Sequence, residues 1–183
     1  MEPFKEIIAG CVKGRREDQE KLYKKFSGVL FAICLRYSKN RMEAEDILQE
    51  VFVKIYTHIQ TYHFDGSFEG WLKRIAVNTS ITYYRKALKK QMEKDIDDGI
   101  TQMSDEAFNF SGDFNMEEML KCIEALPLGY KTVFNMYVIE GYKHKEIAEI
   151  LGIDINTSKS QLSRAKVHLQ NELGKLNKIL VKL

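Results

Sequence analysis

Residues 43–56 read EAEDILQEVFVKIY, and their apolar positions recur with the period of an α-helix. Six side chains form the apolar face: Ala44, Ile47, Leu48, Val51, Phe52 and Ile55. The other face carries charged and amide side chains: Glu45, Asp46, Gln49, Glu50 and Lys54. Asn40 stands three residues before Glu43, and this capping-box spacing predicts the start of the helix. The stretch therefore predicts an amphipathic helix that packs on one face and presents polar groups on the other.

Three further helical patterns surround this stretch. Helices are predicted over 17–37, over 68–90 after the turn Asp65-Gly66, and over 6–13 before Gly14. The predicted inward positions are Leu22, Phe26, Val29, Leu30, Ile33 and Tyr37 in the first, and Trp71, Leu72, Ile75, Ala76 and Tyr83 in the second. The first half of the chain is therefore predicted to form a helical bundle.

A second set of helical patterns follows Asn115, which stands three residues before Glu118. Its first helix has an apolar stripe of Met119, Leu120, Ile123 and Leu126 and ends at Pro127. Helices are then predicted over 130–139, over 144–151, and from 156 toward the C-terminus.

The last two of these helices are separated by a short turn that contains Gly152. A short helix, a glycine-containing turn and a basic helix have the form of a helix-turn-helix. Its predicted core is Ile147, Ala148, Leu151, Ile153, Leu162, Ala165 and Leu169.

The overall composition fits a folded helical protein. The chain has 183 residues, only two prolines and 44% hydrophobic residues, which suits one domain or two small ones. The longest apolar run is 29–35, far shorter than the roughly 20 residues of a membrane span. Since no signal-peptide pattern is visible either, we expect a cytoplasmic protein without membrane insertion.

The net charge of +2 conceals a strong asymmetry. Residues 91–118 carry nine acids and one base, a net of −8, so the remaining residues carry +10. Such asymmetry favours a polyanion such as nucleic acid as partner. We expect an all-α fold with domains at 1–94 and 115–183, joined by an acidic linker at 95–114.

The residue patterns of metal and enzyme sites are missing from the sequence. Cys11, Cys34 and Cys122 form no CxxC pair and are expected to be buried free thiols. The four histidines lack metal-ligand spacing, and no phosphate-binding glycine loop or nucleophile elbow occurs. We therefore expect no metal, no cofactor, no small-molecule substrate and no catalysis.

Three surfaces are candidates for binding. The helix over 68–90 is basic from Trp71 onward and interleaves aromatic and amide side chains, which suits unpaired nucleic acid; the alternative is a solvated amphipathic helix. The last helix begins with hydroxyl, amide and basic residues, which suits base edges in duplex DNA; the alternative is a helical hairpin with a polar outer face. Asp46, Gln49 and Glu50 share one helix face, which is either solvated or docks a basic protein.

Three stretches together resemble bacterial sigma factors. Residues 43–56 resemble conserved region 2.2, and residues 64–78 (FDGSFEGWLKRIAVN) resemble regions 2.3 and 2.4. Residues from Leu126-Pro127 through 146–152 and 157–160 to 164–166 resemble region 4. The order and coverage are similar to those of extracytoplasmic-function (ECF) sigma factors, which keep only domains 2 and 4.

The resemblance implies roles for residues at matching positions. Core RNA polymerase would be bound by Asp46, Gln49 and Glu50. The −10 promoter element would be melted and held by Tyr62, His63, Phe64, Asp65, Ser67, Lys73, Arg74, Asn78, Arg85 and Lys86. The duplex −35 element would be read by Thr157, Lys159, Ser160, Gln161, Ser163 and Arg164. Many members of the family are held inactive by an anti-sigma factor, which is a further implied partner.

Three positions depart from the family pattern. Lys143 stands where Ser or Thr commonly caps the first helix of the helix-turn-helix, and a lysine side chain cannot accept a bond from helix N–H groups. Ser158 stands where a branched apolar residue is usual, and Gln161 where Arg is frequent. These departures concern the region of the −35 contact.

Two other functions remain open at this stage. An autonomous helix-turn-helix regulator would bind duplex DNA alone, usually as a dimer on palindromic sites. A helical adaptor would bind a protein partner without DNA. The order of the three stretches favours a sigma factor, because neither alternative explains it.

Overall fold

The computed structural model describes residues 4–92 and 116–180, and within them every regular element is helical. The predicted all-α fold is confirmed. The chain divides into two compact units, 1–90 and 91–183. The predicted linker at 95–114 lies outside the described residues.

Over residues 4–92, the first stretch that the structure describes, the chain forms four α-helices. They are α1 (Lys5–Val12), α2 (Arg16–Tyr37), α3 (Arg41–His58) and α4 (Phe68–Met92), with a 3-10 turn at Ile59–Thr61 after α3. Asn40 Oδ1 accepts the Glu43 backbone N–H at 2.9 Å, so the predicted cap starts α3. All six predicted inward residues of α3 are buried.

The second unit contains α5 (Met116–Glu124), α6 (Leu128–Phe134), α7 (His144–Leu151) and α8 (Ile155–Leu180). Residues Asn135–Ile139 form a π-helical turn, so the helix predicted over 130–139 is divided. Gly152 ends α7 in the left-handed conformation at φ +70°, which glycine adopts without steric cost. The predicted helix-turn-helix core is buried except for Ile153, which is half-buried.

Two predicted inward residues are exposed, and Trp71, Ile75, Tyr83 and Met119 are only half-buried. Val29 is 42% exposed, because it lies at the edge of the α2 stripe beside the buried Leu30. Leu120 is 50% exposed, and Cys122 fills the core position instead. Tyr83 is only half-buried, whereas the neighbouring Tyr84 is buried.

A close contact joins α1 to the start of α2. Gly10 lies against the carboxylate of Asp18, which is itself buried and paired with Arg15 Nε at 2.8 Å. A Cβ atom on Gly10 would overlap the Asp18 carboxylate and lie 2.8 Å from Arg15 Nη2. The absence of a side chain at position 10 therefore lets the two helices meet.

We expect Gly10→Ala to lower the free energy of unfolding by about 1–3 kcal/mol, since the added methyl must displace a buried, paired carboxylate. Gly28→Ala is the matched control, because a Cβ there meets nothing within 4 Å. That variant should gain about 0.5–1 kcal/mol from the higher helix propensity of alanine. Chemical denaturation of the two variants measures both values. Equal stability of the two would contradict the contact.

Candidate nucleic-acid interface

The loop before α4 folds around Tyr62. The Tyr62 ring packs against Phe64, Phe68 and Trp71, with ring centroids 5.0, 5.1 and 5.6 Å away. The Tyr62 hydroxyl donates to the Gly66 carbonyl at 2.7 Å. Since Tyr62 is only 8% exposed, it supports the loop from inside. Its predicted place among the −10 residues is therefore that of a buried scaffold.

The other loop residues predicted to bind the −10 element are exposed: His63, Phe64, Asp65 and Ser67. Phe64 has φ +63°, a left-handed conformation that is rare for a residue with a large side chain. Its side chain is nonetheless 37% exposed. Strained residues of this kind cluster at ligand sites, where the surrounding structure holds them in place.

A cavity of about 190 Å³ opens beside this loop. Its walls include Phe4 and Ile8 from the N-terminal end, Ser67 from the loop and Glu69 from α4. Glu69 is also paired with Lys73 at 2.7 Å. The loop thus combines an exposed aromatic ring with a partly polar recess.

The predicted basic surface of α4 is present. Lys73, Arg74, Asn78, Arg85 and Lys86 are exposed. Among the described side chains, Arg74, Arg85 and Lys86 are paired with no carboxylate. Trp71 is half-buried and stacks on Phe68, with centroids 5.9 Å apart and planes at 14°. The basic groups therefore lie on the solvent-exposed face of α4, the helix that follows the aromatic loop in the chain.

The acidic surface of α3 consists of Asp46, Gln49 and Glu50. Asp46 and Gln49 are exposed, and Glu50 is half-buried and paired with Lys54 at 2.8 Å. Lys54 Nζ also donates to Thr79 Oγ1 of α4 at 3.4 Å. Burial, followed by the negative charges of Glu43, Asp46 and Glu50, raises the pKa of Tyr83. The acidic surface thus lies beside α4 and holds a local negative potential.

Two exposed apolar residues on α3 were missed by the sequence reasoning. Met42 is 74% exposed and Val53 is 64% exposed. Together with Asp46 and Gln49 they occupy positions i, i+4, i+7 and i+11, which share one helix face. Their position outside the core stripe was visible in the sequence. They enlarge the acidic surface into a mixed patch with apolar ends.

The first turns of α8 divide into two faces. Lys159 is exposed, and Thr157, Ser160, Ser163 and Arg164 are partly exposed. The Ser160 hydroxyl donates to the Thr157 carbonyl at 3.0 Å. Gln161 points differently, because its Oε1 is buried and has no hydrogen-bond partner among the described residues. Its predicted contact with the −35 element would require this side chain to turn outward.

The departures at Lys143 and Ser158 both have structural partners. The Glu146 carboxylate accepts the Lys143 backbone N–H at 2.7 Å, which satisfies one N-terminal donor of α7 without a Ser or Thr cap. Ser158 is fully buried, and its Oγ lies 2.9 Å from His144 Nδ1. The polar residue at an otherwise apolar position is therefore matched by a polar neighbour.

The three cysteines are buried and unpaired, as predicted. Burial raises the pKa of the Cys11 and Cys34 thiols to about 11 and also raises that of Cys122. These thiols are therefore protonated at neutral pH and poorly nucleophilic. Within the part of the chain that the structure describes, no three His, Cys, Asp or Glu side chains are grouped to hold a metal ion.

Over 4–92 and 116–180, no helix is both long enough and apolar enough to span a membrane.

Two family matches correspond to the two units. Residues 22–90 match sigma-70 region 2, and residues 116–169 match sigma-70 region 4. Together they cover about two thirds of the chain.

Curated relatives are similar to this chain over nearly its whole length. The chain is 28% identical to the RNA polymerase sigma factor SigV of Bacillus subtilis, over 93% of each chain. It is 29% identical to the ECF sigma factor SigW of Bacillus subtilis, over 94% of this chain and 98% of that one. It is also similar to the sigma factor RpoE of Bartonella quintana, solved with the anti-sigma factor NepR. That match has 22% identity and a TM-score of 0.48, over 86% of this chain and 98% of that chain. The chain therefore belongs to the sigma-70 family, as an RNA polymerase sigma factor of the ECF class.

Proposed function

We propose that this sigma factor docks on core RNA polymerase through α3, holds the melted −10 element with the aromatic loop and α4, and reads the duplex −35 element with α8. The observation that carries the proposal is the arrangement of the first unit. One bundle presents an exposed acidic surface on α3 and, before a basic helix, an exposed aromatic ring in a strained loop. A single DNA-binding module needs no such pair of surfaces.

The acidic surface suits a basic protein partner and not DNA. Asp46 and Glu50 would repel the phosphates of DNA. Exposed Met42 and Val53 on the same face add apolar area of the kind found at the centre of protein interfaces. We assign this mixed patch to core RNA polymerase.

The aromatic loop suits single-stranded DNA. Melting a promoter requires unpaired bases to be captured, and stacking on an aromatic side chain supplies about 1–3 kcal/mol per base. Phe64 is exposed and held in place by the buried Tyr62 beneath it. Exposed Arg74, Arg85 and Lys86 on the following helix would neutralise the strand backbone.

The outward face of α8 suits the major groove of duplex DNA. Lys159 and Arg164 can donate to guanine, while the hydroxyls of Ser160 and Ser163 can contact base edges or phosphate. Leu162, Ala165 and Leu169 fix the opposite face of α8 in the core of the second unit. We assign this face to the −35 element.

The two units then act as tethered modules. The domain bounds 1–94 and 115–183, with a linker at 95–114, remain a prediction. The negative charge of the linker suits the channels of the polymerase, which bind nucleic acid. Tethering raises the effective concentration of the second module once the first has bound. The protein itself would catalyse nothing and would act in the cytoplasm with the polymerase. An anti-sigma partner also remains a prediction.

We expect Phe64→Ala and Phe64→Gly to reduce open-complex formation roughly tenfold or more, since both remove the stacking ring. The two variants separate function from folding. Glycine relieves the left-handed strain at position 64 and should make the protein more stable than alanine does. Permanganate reactivity of −10 thymines in polymerase–promoter complexes measures the opening. Wild-type reactivity in both variants would contradict the assignment of the loop.

A further inference from the structure

The start of α7 is joined to the start of α8 by a partly buried hydrogen bond. His144, the first residue of α7, places Nδ1 2.9 Å from the Oγ of Ser158. Ser158 lies in the first turn of α8 and is fully buried. Because a buried hydroxyl is costly without a partner, this contact holds both side chains in one arrangement.

The other side of His144 is fixed by an aromatic ring. The imidazole stacks on Tyr137, with centroids 4.5 Å apart and planes at 24°. Tyr137 belongs to the π-turn between α6 and α7, so His144 touches three consecutive elements of the second unit. The Glu146–Lys143 bond fixes the same turn of α7 through the backbone. The stacking on Tyr137 and the hydrogen bond with Ser158 therefore hold His144 between the π-turn and α8.

Ser158 lies among the residues assigned to the −35 element. Lys159 follows it by one residue and Ser160 by two, so rotation or translation of the helix at Ser158 moves both side chains relative to the groove. We propose that the His144–Ser158 hydrogen bond sets the orientation of the first turn of α8 and thereby determines which −35 sequences are preferred. Both are positioning residues, and the inference rests on the proposed function of α8.

A hydrogen bond constrains this position more narrowly than apolar packing would. Apolar side chains pack without a fixed direction, whereas a hydrogen bond to a ring nitrogen weakens steeply when its angle changes. A ring that is also stacked on Tyr137 has little freedom to follow a displaced serine. The orientation of α8 is thus specified at its first turn as well as by its apolar face.

The test uses the full chain with core RNA polymerase and a promoter library randomised in the −35 element. The variants are Ser158→Ala, Ser158→Thr, His144→Phe and the double variant His144→Phe/Ser158→Ala. His144→Phe keeps a ring to stack on Tyr137 and removes Nδ1. Gln170→Ala is the control, since Gln170 is exposed three turns further along α8. The readouts are the preference ratio between favoured and average −35 sequences, the affinity for non-specific DNA, and the thermal midpoint.

We expect Ser158→Ala and His144→Phe each to lower or redirect the preference by about tenfold, while Ser158→Thr and Gln170→Ala keep it. Affinity for non-specific DNA should stay unchanged, because phosphate contacts carry it. The double variant removes both polar groups and should recover stability without recovering the preference. If a single variant fails to fold, the −35 preference of the double variant provides the test in its place.

Two results would overturn the inference. One is a wild-type preference in folded Ser158→Ala. The other is a double variant that recovers preference together with stability, since the pair would then be merely structural. If the wild-type chain does not initiate transcription, both the proposed function and this inference are contradicted. If it initiates normally but the variants keep the wild-type −35 preference, only this inference is contradicted.

Discussion

Replacing Asp46, Gln49 and Glu50 together by alanine is expected to weaken binding to core RNA polymerase by about a hundredfold or more. Hydrogen bonds to charged groups contribute about 1.5–3 kcal/mol each, and each 1.4 kcal/mol is a factor of ten. Asp46 and Gln49 are exposed, and alanine is the best helix former, so α3 should keep its structure. Fluorescence anisotropy of labelled protein titrated with core polymerase measures the affinity.

The matched control for this variant is Glu20→Ala on α2. Glu20 is an exposed acid in an i,i+4 pair with Lys24 at 2.6 Å, just as Glu50 is paired with Lys54. Its loss should leave polymerase binding unchanged. Equal affinities for the triple variant and the control would reject α3 as the docking surface. Salt adds a second check, because the acidic contribution should fade at high ionic strength while the apolar contribution of Met42 and Val53 persists.

Replacing Lys159 and Arg164 by alanine is expected to remove most of the discrimination for the −35 element. A good bidentate base contact supplies about 1–3 kcal/mol, so the double variant should lose about a hundredfold in promoter preference. Both side chains lie on the outward face of α8, opposite the buried Leu162 and Ala165, so the fold should tolerate the change. Competition between promoters that differ only in the −35 element measures the loss.

The control for this second prediction is Lys121→Ala on α5, which removes an exposed lysine outside the helix-turn-helix. It should leave the −35 preference intact. If the Lys159/Arg164 variant keeps the preference as well, another face of the second unit reads the DNA. If it loses affinity equally for all sequences, the two residues contact phosphate alone.

Helical periodicity predicted most of the fold because apolar stripes record which face is buried. The six core residues of α3 followed from spacing alone, as did the glycine turn before α8. Errors came at stripe edges, as at Val29, which is exposed although the adjacent Leu30, also predicted to face inward, is buried. The π-turn at 135–139 was missed because its wider repeat leaves no distinct mark over five residues.

Contacts between distant parts of the chain were beyond the sequence. Nothing local marks Tyr62 as the buried centre of its loop, since it stands beside exposed His63. The approach of Gly10 to Asp18 and the bond between His144 and Ser158 each join two helices, and only the assembled unit shows them. Ser158 was noticed as a departure, but its partner required the structure.

If this chain directs RNA polymerase to promoters, it should enable core polymerase to initiate transcription at defined sites. Purified protein is added to core RNA polymerase on genomic DNA, and the 5′ ends of the transcripts are mapped. We expect a stable complex with core polymerase and a limited set of start sites that share −10 and −35 elements. DNA binding by the protein alone should be weak, because only the polymerase fixes the separation of the two units. Failure to bind core polymerase, with no start sites beyond those of core alone, would contradict this role of the chain.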